Sequence, residues 1–246
     1  MSIYVTGDTH GKAVERLQNE PFSRGEKLTK DDYVIILGDF GEIWSVTKRT
    51  EQRLNELNNK DYTVCFIDGN HENFDALNEY PVEMWHGGKV HKIKSSVIHL
   101  MRGQVYEIDG KTCFTFGGAR SHDIEDGILD GNNPHWIEQA EELKAAGKNM
   151  FRINHLSWWK EEMPSTAEYM EGIVNLAKAN NKVDFMFTHC APSSVLSYPS
   201  DEETAYFNGI MQQTSYKWWG CGHYHDERFF PLEKVEILYN SIRQIA

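Results

Sequence analysis

Five short polar clusters gather side chains whose types and spacing could bind a metal or move a proton. Gly7-Asp8-Thr9-His10-Gly11 sets a carboxylate and an imidazole two residues apart, a spacing that lets both point the same way in extended or turn geometry. Gly38-Asp39 adds a second carboxylate, and Gly69-Asn70-His71-Glu72 an amide oxygen and an imidazole. Thr188-His189 contributes one more imidazole, and Gly222-His223-Tyr224-His225 two. The set is carboxylate, imidazole and amide with no thiolate, which points away from a structural zinc site. It suits divalent ions of intermediate hardness in an open, higher-coordinate site. Asp8, His10, Asp39, Asn70, His189, His223 and His225 are more ligands than one ion needs when positions stay open for water and substrate; two ions that share a carboxylate would use them.

Such groups work together only if the fold brings them to one place. Ile3 to Val5, Tyr33 to Leu37 and Thr63 to Ile67 are short apolar runs, each ending in a polar, glycine-containing turn. Their apolar residues are continuous, so each reads as a strand buried on both faces. The stretch Ser45 to Asn59 reads as a helix with Val46, Leu54 and Leu57 on one face. Strand, helix, strand repetition predicts an α/β fold with parallel strands, whose carboxyl ends converge on one crevice. Past residue 88 the pattern turns antiparallel. Val97 to Leu100 and Gln104 to Ile108 read as strands, and Asp109-Gly110 as a two-residue hairpin turn into Lys111 to Phe116. Residues 121–180 read as a polar, mainly helical insertion, with helix starts near Pro134 and at Pro164-Ser165. Val183 to Phe187 is the next buried strand; Tyr216 to Gly220, Arg228 to Phe230 and Val235 to Tyr239 read as strands after it.

A chain of 246 residues with 40% hydrophobic and 25% charged residues is ordinary for a globular protein. The formal net charge of −12 disfavours a protein that tracks a nucleic-acid backbone, and no apolar run is long enough to span a membrane. Met1 to Val5 reads as a first strand and not as a signal peptide. Cys65, Cys113, Cys190 and Cys221 form no Cys-x-x-Cys pair, as expected of buried thiols in a reducing cytoplasm.

Taken in order, Asp8-x-His10-Gly11, Gly38-Asp39, Gly69-Asn70-His71-Glu72, Thr188-His189 and Gly222-His223-x-His225 resemble the motif series of the calcineurin-like metallophosphoesterase superfamily. Any one alone would be weak, but the ordered set spans nearly the whole chain. The resemblance implies a four-layer αββα sandwich with two mixed β-sheets, a single domain over 1–246, and a dinuclear site hydrolysing a phosphate ester. It implies that Asp8, His10 and His225 hold one metal, that Asn70, His189 and His223 hold the other, and that Asp39 bridges them. His71 would be the general acid. Manganese, iron or zinc is the expected pair, with magnesium also compatible. Family members often carry Asp-Arg-Gly after the Gly-Asp motif, with the Arg on phosphate. Here Phe40-Gly41-Glu42 follows, and Arg120 is the candidate replacement.

Outside these motifs the expectations are plainer. Glu72 either orients His71 or faces solvent. His122 and Asp123 follow a Gly-Gly turn and either reach the site or, the reading favoured here, form a solvated loop. His86, His91, His99, His135 and His155 read as surface or satisfied core residues, and the pairs Trp158-Trp159 and Trp218-Trp219 as core anchors. A phosphoesterase-like interaction module that has lost catalysis is the rival reading; it should lack ligands or the acid, and all eight residues are present. A nuclease is disfavoured by the acidic balance.

Overall fold

The computed structural model describes residues 1–18, 27–196 and 199–246. The three early apolar runs form β1 (Ile3–Thr6), β2 (Tyr33–Leu37) and β3 (Thr63–Ile67), and every residue in them is buried. They pair in parallel, with Val5 opposite Ile35 and Ile35 opposite Cys65. The sheet continues through β6 (Val97–Leu100), parallel to β3, and then β5 (Gly88–Lys94) and β4 (Val82–Trp85), both antiparallel to their neighbours. Its other edge is β15 (Ile242–Gln244), antiparallel to β1, which makes seven strands.

A second, six-stranded sheet has a parallel centre of β8 (Lys111–Phe116), β11 (Phe185–Thr188), β12 (Trp218–Cys221) and β14 (Val235–Ile237). Its edges, β7 (Gln104–Ile108) and β13 (Arg228–Phe230), are antiparallel. The β7–β8 turn has Asp109 at φ 51° and Gly110 at φ 66°, the left-handed pair that a two-residue hairpin demands.

Alternation along the strands explains the layers. Ile3, Val5, Ile35, Leu37, Cys65 and Ile67 face Tyr106, Ile108, Cys113, Phe185 and Phe187 of the second sheet, forming a core between the sheets. The intervening Tyr4, Val34, Ile36, Val64 and Phe66 face outward onto α1 (Ala13–Arg16), α2 (Lys48–Asn58) and α3 (Phe74–Leu77). On the far side, Phe114, Phe116, Met186 and Trp219 pack against α5 (Thr166–Lys178) and α7 (Glu202–Gln213). Helix, sheet, sheet, helix is the expected αββα order, and the continuous apolar runs follow from it because every central strand is covered twice. Each such buried side chain contributes roughly 1.5–3 kcal/mol.

Two local expectations need correction. Thr47 caps α2, so Val46 lies outside the helix and is 87% exposed. The segment 121–180 holds the 10-residue α4 (Trp136–Ala145) and the 13-residue α5, but also a parallel pair, β9 (Gly127–Asp130) and β10 (Phe151–Asn154). Both strands are four residues long and at most half-buried, so neither alternation nor a continuous apolar run announced them. Among the described residues, no helix is long and apolar enough to cross a membrane.

Candidate metal centre

The five polar clusters sit just past the carboxyl ends of β1, β2, β3, β11 and β12, where both sheets open onto one crevice. Their loops have to turn sharply while still pointing side chains inward. His10, Asp39, His223 and His225 adopt φ of 46°, 47°, 69° and 51°, the left-handed region that costs a side chain-bearing residue about 1–2 kcal/mol. Four such residues among seven candidate ligands is a concentration of strain of the kind that functional sites retain. Two glycines make room for ligands on neighbouring strands. At Gly38 (φ 94°) a Cβ would lie 2.0 Å from His189 Nδ1, and at Gly69 it would lie 2.1 Å from Asp39 Oδ1. The glycines therefore let neighbouring ligand side chains, and not an ion itself, approach the backbone.

Asp8, Asp39, Asn70 and His189 are buried, whereas His10 and His225 stand at the open rim. His189 Nδ1 donates to the Leu37 carbonyl (2.8 Å), which leaves Nε2 as the lone pair facing Asp39 Oδ1 at 3.4 Å and Asn70 Oδ1 at 3.2 Å. Asn70 Oδ1 also lies 3.1 Å from His223 Nδ1. Asp8 Oδ1 accepts from the His223 amide (2.9 Å), and Asp8 Oδ2 lies 3.2 Å from His225 Nε2 and 3.8 Å from His10 Nε2. Asp39 spans the crevice: Oδ1 is on the His189 side and accepts the His71 amide (2.7 Å), while Oδ2 is 3.7 Å from His10 Nε2.

This arrangement fits cations. His10 Nε2 and His225 Nε2 face each other at 2.9 Å, and beyond that His225 ring at 3.2 Å the buried Asp8 Oδ2 has no hydrogen-bond partner among the described residues. Ligand atoms of Asp8, His10 and His225 all lie within 4.8 Å of one another, as do those of Asp8, Asp39 and His189. The field points the same way. Burial alone would lower the His189 pKa, but Asp39 and Asp8 outweigh it and push it up to about 10. Burial would raise Asp39, yet His189, His71 and His10 hold it below the usual carboxylate range. Two buried carboxylates draw positive charge inward, and a proton on His189 or a divalent cation answers the same field. His223, by contrast, is pushed well below the ordinary histidine value by burial and by His189, so it presents a neutral ring.

The remaining predicted residues fall as follows. The His71 ring lies 5.5 Å from that of His10, beside the candidate ligands. Glu72 neither orients His71 nor faces solvent: it is buried and accepts the Phe40 and Gly41 amides (2.7 and 3.2 Å), bracing the loop that carries Asp39. His122 is exposed as expected but reaches the centre, with Nε2 3.2 Å from His223 Nε2. Arg120 lines the same cavity as His122 and His223. The tryptophan expectation holds for Trp159, Trp218 and Trp219, which are buried, and the four cysteines are buried and free.

Sequence reasoning missed three residues, all from the segment after β8. Ser121 Oγ accepts from Asn70 Nδ2 (3.1 Å) and donates to the buried Glu162 Oε2 (2.5 Å), so the pair turns the Asn70 oxygen toward His189 and His223. Arg152, on β10, lines a cleft with His10, Gly41, Trp44 and His71, and its guanidinium is paired with Asp123. No motif marks these residues; their signal lies only in the folding of the insertion back over the crevice.

Among curated proteins a sequence search finds no match. In structure the chain is similar to the phosphopantetheinyl hydrolase PptH from Mycobacterium tuberculosis, at 14% identity and a TM-score of 0.42, over 99% of this chain and 95% of that one. A family model described as calcineurin-like phosphoesterase matches residues 1–227, a span that includes every candidate ligand and the loops that strain to present them. The chain belongs to the calcineurin-like phosphoesterase family.

Proposed function

We propose that the chain is a single-domain metallophosphoesterase. In this reading Asp8, His10 and His225 hold one divalent ion, Asn70, His189 and His223 hold a second, and Asp39 bridges them. The observation that carries this is Asp39 itself, whose two oxygens face histidines of the two groups at 3.4 and 3.7 Å. The mixed imidazole, carboxylate and amide set suits manganese, iron or zinc, and tolerates magnesium. Free buried thiols fit a reducing compartment such as the cytoplasm.

Bound there, two divalent ions supply Lewis-acid charge to the phosphoryl oxygens and lower the pKa of water toward neutrality. The chain's own residues do the rest. Arg120, beside His122 and His223, and Arg152, steadied by Asp123 and opening into the cleft with His10 and His71, are the two candidates for the phosphate-binding cation that the Gly-Asp motif lacks here. His71 delivers a proton to the departing ester oxygen as water adds to phosphorus. Ser121 and Glu162 fix the Asn70 amide, and the segment 121–180 shapes substrate choice through Arg152 at the cleft.

Elemental analysis and an assay on p-nitrophenyl phosphate test this reading together. Protein supplied with manganese should carry about two metals per chain and hydrolyse the ester. Asp39→Ala should lower occupancy of both sites. A single metal in the wild type, full loading of the variant, or no hydrolysis with any of the four metals would sink the assignment.

A further inference from the structure

The ligand array has two ends, and a separate cavity opens at each. At one end, His10 and His71 border a cleft of about 380 Å³ that also contains Arg152 and Trp44. At the other, His223 and His122, in contact at 3.2 Å, border a larger cavity of about 570 Å³. Its walls include Arg120, Ser193, Ser200 and Tyr224. Among the described residues the two cavities share no lining residue. Between them lie Asp8, Asp39, Asn70 and His189, all buried, so the reacting phosphate has room on both sides and contact with protein beneath.

A phosphomonoester occupies one side only, because its phosphate carries a single organic group. With His71 as proton donor, that group leaves through the smaller cleft and the cavity at His223 has no occupant. The larger cavity is close in size to a site for a whole organic moiety. It is lined by hydroxyls, rings and apolar side chains, with one guanidinium, Arg120, and one carboxylate, Asp201. Resting on the phosphoesterase reading above, we infer that the substrate is a phosphodiester, with the departing alcohol beside His71 and the retained ester group in the cavity between His223 and Ser200. Water forms the new P–O bond and releases one proton to solvent, the P–O bond on the His71 side breaks, and its oxygen takes the proton from His71, which solvent later restores. The products are one alcohol and one phosphomonoester, the latter still seated at the His122 end.

The test compares bis(p-nitrophenyl) phosphate with p-nitrophenyl phosphate on manganese-loaded protein, wild type and Ser200→Trp. Ser200 is exposed, so the indole extends into the cavity without entering the core. The diester should be the better substrate for the wild type. Ser200→Trp should lower kcat/KM for it about tenfold, as loss of a well-filled pocket does, and change the monoester less than about twofold. Ser193→Trp, on the same wall, should repeat the pattern if Ser200→Trp folds poorly. Binding of diphenyl phosphate, followed by calorimetry, should weaken in both variants while binding of phenyl phosphate stays unchanged. Equal effects on diester and monoester, or a wild type that prefers the monoester, overturn the diester assignment and leave the phosphoesterase reading intact. Hydrolysis of neither ester overturns both.

Discussion

At the scale of single residues, the ligand candidates were legible because five clusters of Asp, His and Asn each follow a buried strand, and the resemblance ordered them. The proposed function depends equally on residues with no such signature. Arg152 follows an exposed loop, and Ser121 and Glu162 come together only once the insertion folds. His71 illustrates the division of labour, since its amide donates to Asp39 while its ring points to the cleft. We expect His71→Asn to keep both metals and to lose about a hundred- to ten-thousand-fold in kcat on alkyl phosphates, where the leaving oxygen needs a proton most. On nitrophenyl phosphates the loss should be much smaller. Parallel loss on both substrates would make His71 a charge stabiliser, and loss of metal would make it a ligand.

At the scale of elements, the central strands of both sheets announced themselves as apolar runs and α5 by Pro164-Ser165. By contrast, β4 and β5 towards one edge of the first sheet and β15 at the other carried no such signal, and the Thr47 cap of α2 lies two residues inside the expected start. What the sequence withheld was how closely the loops interlock. Nothing in Gly38-Asp39 reveals that the His189 ring occupies the space where a side chain on residue 38 would go. Nor does Glu72 betray that it holds the next loop by two amides. The interlock makes a sharp prediction. Gly38→Ala meets His189 at 2.0 Å in a left-handed backbone, and both faults act together. We expect a destabilisation of about 3 kcal/mol or more, with metal content reduced. Gly209→Ala, within α7 and with open space around the new methyl, should be neutral or stabilising by about 0.5–1 kcal/mol. Thermal melts and metal analysis of the two variants side by side check this; similar melting temperatures would refute it.

At the scale of the molecule, the αββα layering was expected from the resemblance, and its cores are the three apolar clusters that the strands separate. One buried polar line crosses this architecture. Asp68 accepts from His99 Nε2 (3.1 Å), which leaves His99 Nδ1 to accept from His91 Nδ1 at 3.0 Å. The two histidines, opposite each other on β5 and β6, hydrogen-bond to one another in the core. Burial and the neighbouring His99 push the His91 pKa down to about 4. The unfolded chain therefore takes up a proton near the ordinary histidine value of about 6.5 while the native protein does not, so stability is lost as pH falls from about 6.5 to about 4. Urea melts across that window should show a shallower decline for His91→Gln than for wild type; identical slopes would show that His91 is not the group responsible. Another feature has a broader reach. Asp8, Asp39 and Asn70 stand on the first sheet, whose strands but for β15 lie between residues 3 and 100; His189, His223 and His225 stand on the second, between 104 and 237. A cation held by both groups is a rivet through the seam between two nearly continuous halves of the chain. Its affinity then reports how well the halves are seated, and a small change deep in that seam, at Ile35 or Phe187, reaches the chemistry without touching it.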